Sequence, residues 1–159
     1  MKKFGYISIV ILLFLQACGF TPMLKESNFD NLKINKITYS GPNELVYFLR
    51  SNLNIPISKN ITDSHSINID ISESVSSVTK NTAGITTQES IIITVIFSIF
   101  NQNNETIGKG SLSDSKTVSI TNNISTDTEI KRIEKENIIT NLIQELTFAT
   151  RAKIISSKK

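Results

Sequence analysis

Cysteine and histidine each occur once in the sequence, as Cys18 and His65, and tryptophan does not occur at all. One Cys and one His cannot assemble a Cys/His zinc site or a bis-His haem site, and a single cysteine cannot close an internal disulfide. Any Ser-His-Asp triad has to use His65, which leaves little room for nucleophilic catalysis. No carboxylate pair stands out as an acid–base site, and the Gly-rich phosphate cradle is missing. Six glycines and three prolines exclude a collagen-like or Pro-rich polymer. Charged residues make up only 19% of the chain, with a formal charge of +3. Together these absences predict a protein that is not an enzyme and carries no metal or dissociable cofactor. What remains is ample for one folded domain: 159 residues, 39% hydrophobic.

The N-terminus is a processing signal. Met1-Lys2-Lys3 precedes an apolar run from Tyr6 to Leu15, which is too short to span a ~30 Å hydrocarbon core. Leu15-Gln16-Ala17-Cys18 follows and resembles the lipobox of bacterial lipoproteins. Ala17 is the small residue beside the cut, Cys18 is the thiol that takes diacylglycerol and the amine that is then acylated, and Gly19 follows. Three acyl chains on one residue anchor a domain stably. With no Asp after Cys18, the expected location is the outer membrane, with the domain facing the periplasm. Loss of residues 1–17 removes Lys2 and Lys3, so the mature 142-residue chain has a formal charge of only +1. That near-neutrality argues against nucleic acid as a partner.

The expected organisation is a signal peptide over 1–17, a lipidated tether over 18–30 and one α/β domain over 31–157. Leu32 to Tyr39 predicts a first strand with a phase slip at Lys36. A helix is expected over Pro42–Leu53, with Pro42 at the first helical position. Ile67, Ile69 and Ile71 alternate with polar residues, predicting a second strand; 57–64 predicts a loop, and His65 just after it is expected in polar loop surroundings. Thr79–Gly84 reads as a turn. Glu89–Phe100 predicts a central strand covered in part on both faces, since both faces are apolar. Asn101–Asn104 reads as a hairpin turn, and Thr106–Ile120 as a weaker fourth strand loosened by Gly108 and Gly110. Thr126 and Glu129 fit a capping box for a helix over Asp127–Ile155, with Ile139, Leu142, Ile143, Leu146 and Ala149 as its apolar stripe. The order β-α-β-β-β-α predicts an α+β, two-layer sandwich: a four-stranded, mostly antiparallel sheet with two helices on one face. Ile69, Ile93, Val95, Phe97, Leu142 and Leu146 are expected in its core. The sequons at Asn60, Asn104 and Asn123 have no reason to be used in a bacterial lipoprotein.

The lipobox, the start Cys18-Gly19-Phe20, the stretch Ile67–Ser72, the Gly84-Ile85 turn, the hairpin Phe100–Gly110 and the long terminal helix together resemble the LPS-assembly lipoprotein family LptE in its alphaproteobacterial form. The resemblance covers essentially the whole mature chain. It implies an outer-membrane lipoprotein that plugs the lumen of the LPS-translocon β-barrel one-to-one, helps it assemble and contacts lipopolysaccharide on its way outward. It also implies cations for the lipid A phosphates: Lys80, in a loop where the family often places a basic residue, and less directly Lys109 and Lys116. The polar turns Ser76–Ala83 and Asn101–Glu105 are expected at one end of the sandwich. An auxiliary lipoprotein of a lipid-transport ABC system, or an activator of an envelope enzyme, is the alternative.

Overall fold

The computed structural model describes residues 34–58 and 64–157. Ala17, Cys18, the tether and residues 31–33 of the expected domain lie outside them. Six elements follow in the expected order: β1 (Ile34–Ser40), α1 (Asn43–Asn52), β2 (His65–Lys80), β3 (Thr86–Phe100), β4 (Thr106–Ser119) and α2 (Ile124–Ser156). The strands form one sheet in the order β1-β2-β3-β4. β1 runs parallel to β2, because α1 carries the chain back, while β2, β3 and β4 form an antiparallel meander. The fold is therefore α+β in two layers.

One sheet face makes the core. Ile67, Ile69 and Ile71 of β2 sit opposite Ile99, Phe97 and Val95 of β3, and all are buried with Ile91 and Ile93. Leu45 and Leu49 of α1 and Ile138, Ile139, Leu142, Ile143, Leu146 and Ile154 of α2 close over them. All six expected core residues are buried. The phase slip at Lys36 is a register irregularity between Ile34 and Lys36. It lets Ile34, at the start of the edge strand, turn into the core.

Several local expectations change. The other face of β3 is not covered: Ile92 is 38% and Ile96 49% exposed. The Ser-rich stretch after Ser72 continues β2 to Lys80, paired to β3 along its length, so the turn is only Asn81–Gly84. Pairing to the strongly β-forming β3 overrides the weak propensity of those serines. His65 opens β2 and is buried rather than lying in a polar loop. Pro42 precedes the first helical residue, and its carbonyl accepts from Val46 N at 3.0 Å. α2 begins earlier than a Thr126 cap allows: Asn123 is its N-cap, accepting from Thr126 N at 3.3 Å, and Glu129 bonds Arg132 instead. Asn at this position caps at least as well as Thr. Gly108 and Gly110 do not loosen β4. A Cβ at Gly110 would stand 2.7 Å from the Phe97 ring, and one at Gly108 2.9 Å from Lys153 Cβ, so both glycines admit close packing.

The two hairpin turns lie at opposite ends of the sheet, not at one. β3 connects them, and its 15 residues span about 50 Å. They are nonetheless built alike. Asn81 Oδ1 accepts from Ala83 N and Ile85 N, and Asn101 Oδ1 accepts from Asn103 N and Glu105 N. Each turn then needs a left-handed residue, supplied by Gly84 (φ 78°) and Asn104 (φ 59°).

Candidate functional site

The sheet face turned away from the helices is exposed. Strand pairing sets its residues in rows: Asp70, Ile96 and Ser111; Ser72, Thr94 and Ser113; Ser74, Ile92 and Ser115; Ser76, Ser90 and Thr117. The last three rows carry no charged side chain. Their hydroxyls bond one another, as Thr94 Oγ1 and Ser113 Oγ do at 3.1 Å. The face is thus a hydroxyl lawn around two exposed isoleucines, able to hydrogen-bond a polar wall without desolvating an ion. The pattern is present in the sequence as Ser at every second position of 72–76 and 111–115, a signal hidden by the low strand propensity of serine.

β1 reaches only to Ser40, opposite Asp70. Beyond it the β2–β3 hairpin continues for ten residues of β2 with no strand of the described residues on its outer side, and ends in the Asn81–Gly84 turn. Lys80 is the last residue of β2 and is exposed beside this tip. Lys109 faces the open side opposite Ser98, near the other end, and Lys116 is opposite Ile91 on the side that carries the helices. The structure therefore does not bring the three lysines together. From the Thr86 row beside Lys80 to the Ser98 row of Lys109 is about 40 Å of strand.

Charges near the middle and start of α2 are paired. Lys131 meets Glu89 at 2.6 Å and Lys135 meets Glu73 at 2.7 Å, tying α2 across β2 and β3. Arg132 is held between Glu129 and Glu136, and its hydrogen bonds keep the Glu129 carboxyl below its usual range. At the start of α2, Asp127 Oδ1 accepts from Thr121 N and from Thr121 Oγ1, both at 2.8 Å. The backbone bond from Thr121 is the main cause holding the Asp127 carboxyl below its ordinary value, with the Thr121 hydroxyl, Asn122 N–H and Lys131 adding to it. Among the described residues no group of three or more His, Cys, Asp or Glu could hold a metal, and no helix is long and apolar enough to cross a membrane.

This layout of helices over one face of a four-stranded mixed sheet matches solved structures. The crystal structure of rare lipoprotein B from Shewanella oneidensis superposes with a TM-score of 0.59 at 14% identity, over 79% of this chain and 100% of that one. The chain shares its fold with bacterial lipoproteins. A minor lipoprotein from Acinetobacter baumannii gives a TM-score of 0.54 at 15% identity, over 73% of this chain and 90% of that one. No protein-family model matches the sequence, and neither does any curated protein.

Proposed function

We propose that this protein is an outer-membrane lipoprotein, anchored by acylated Cys18, that sits in the lumen of the LPS-translocon β-barrel and helps deliver lipopolysaccharide to the outer leaflet. It works by binding and not by catalysis. The observation that carries the reading is the hydroxyl face, charge-free over the three rows that start at Ser72, Ser74 and Ser76, running out into a projecting hairpin on a fold shared with lipoproteins. The lumen of an outer-membrane barrel is polar, and a wall of serines can satisfy it over a large area. In this reading the Asn81–Gly84 tip enters the lumen first, and Lys80 beside it is the cation for lipid A phosphate. Lys109 and Lys116 are secondary contacts.

Pull-down of the barrel with two variants tests it. Lys80→Asp weakens lipopolysaccharide contact and leaves the barrel complex assembled, because one exposed cation adds little to an interface spread over a wide surface. A hairpin shortened by removing Thr79–Gly84 and joining its strands through a two-residue turn loses barrel capture, since the deepest contacts go together. Full capture by a folded, shortened variant points instead to an auxiliary role in lipid-transport ABC systems.

A further inference from the structure

We propose that the end of the sandwich opposite the hairpin tip, where Lys36, Lys109, Arg151 and Lys153 gather around exposed Ile57 and Ile155, docks on an anionic phospholipid surface. Pairing, the isolated bridge of Ile57 and the packing of α2 on β4 put these residues at one end of the sheet, Lys36 and Lys109 on its two edge strands. Lys36 is opposite Ser66, which is opposite Phe100, and Lys109 lies two rows further in. Lys153 lies over Gly108, with its Cβ in the space a β-carbon there would need. Ile57 bridges Ile34, and Ser58 N donates to Ile34 O at 2.7 Å, which holds that loop at the same end.

Charge and chain connectivity point to the occupant. Among the described residues, none of the four cations forms an ion pair, in contrast to Lys131, Arg132 and Lys135 further up α2. Among the described residues, the carboxylate at this end is Glu105, which already accepts from Asn101 Nδ2 at 2.7 Å. Ile57 and Ile155 are 59% and 52% exposed, the pattern of apolar tips among cations that suits a headgroup layer. The first described residue, Ile34, also lies at this end, sixteen residues after Cys18. Sixteen residues reach at most about 55 Å. The tether alone therefore keeps the domain near the bilayer without orienting it, and the cations select which end faces the headgroups. Each cation near an anionic surface strengthens the association about five-fold.

The inference rests on the lipid-anchor part of the proposed function, and its test does not. The mature chain from Cys18 is coupled through the Cys18 thiol to maleimide lipid in vesicles, so anchoring is supplied whether or not the cysteine is acylated in the cell; the mass of the natural mature protein decides acylation separately. Lysine acetylation is then followed residue by residue on phosphatidylcholine vesicles and on vesicles that also contain phosphatidylglycerol. The expected result is slower modification of Lys36, Lys109 and Lys153 on the anionic vesicles alone, with Lys80 and Lys116 unchanged, and protection that disappears in high salt. Arg151→Gln with Lys153→Gln, in a variant whose unchanged thermal unfolding shows it folded, cancels the protection of Lys36 and Lys109. No protection at Lys109 and Lys153, equal protection at Lys80, or equal protection on neutral vesicles each overturns the proposal.

Discussion

At the residue scale, small side chains decide where large ones go. Gly110 faces the Phe97 ring, the largest fully buried side chain of the core. Gly110→Val forces the ring or β4 to move, and overpacking of this kind costs about 1–3 kcal/mol; thermal unfolding measures it. Gly41 is tighter still, with a φ of 126° and a Cβ position 2.1 Å from Ile71 O, so Gly41→Ala disrupts the β1–α1 turn itself. Asp127 acts through charge. Its carboxyl is held below the ordinary value of about 3.9, so its ionised form adds stability that is fully present above that pH and fades as pH falls through the lower folded value. Asp127→Ala therefore lowers the melting temperature at pH 7, and the gap to the parent narrows in acid below about pH 4. A gap that stays constant down to the acid transition shows that Asp127 acts only by packing. In the sequence, Asp127 was legible as a first-turn acid but not as the acceptor for Thr121, because that bond depends on where Asn122, at a φ of 62°, turns the chain.

At the element scale, α2 is the lid of the core and β3 its floor. Leu142 lies in the middle of the buried stripe. Leu142→Ala costs about 2–5 kcal/mol, a large share of the 5–15 kcal/mol stability of a typical domain, and denaturant unfolding reads it directly. An unchanged midpoint assigns the wrong face of α2. The alternation in β3 and the three-four spacing in α2 were both readable because each buried stripe is made of long runs of Ile, Leu and Phe. The length of β2 was not readable, because Ser72 to Lys80 owes its strand state to the neighbour it pairs with and not to its own residues. The capping box was misplaced for a related reason: Asn123 and Thr126 both carry good capping side chains, and the chain direction set by β4 chooses between them.

At the scale of the whole molecule, the two sheet faces differ: one builds the core and the other stays exposed. Ile96→Lys, in the open face opposite Asp70, is expected to change the unfolding free energy by no more than about 1 kcal/mol while reducing barrel capture. Loss of folding instead shows that the face is part of the core. Cys18→Ala is expected to leave the domain folded and to abolish incorporation of a palmitate analogue; a labelled variant refutes lipidation at that residue. The layer order, the strand count and the helical face were all legible, since they follow from hydrophobic pattern and short connections. The open face and the grouping of cations at one end were not, because both are products of register, which sets residues far apart in sequence side by side.

The parallel pairing of β1 has a consequence in time. β2, β3 and β4 can zip through two tight turns, each locked by an asparagine side chain, but β1 can join only after α1 has formed and crossed over. Loop closure makes such non-local pairing slow relative to hairpins. β1 and α1 are therefore expected to dock last during folding and to detach first in the native state. In a hydrogen-exchange experiment, amides of β3 exchange only through global unfolding, whereas those of Lys36 to Tyr39 exchange through a cheaper opening that leaves the meander and α2 intact. A chain held by its N-terminus thus has its most easily released strand next to the point of attachment, so mechanical pull on the tether peels the domain from that edge, one pairing at a time.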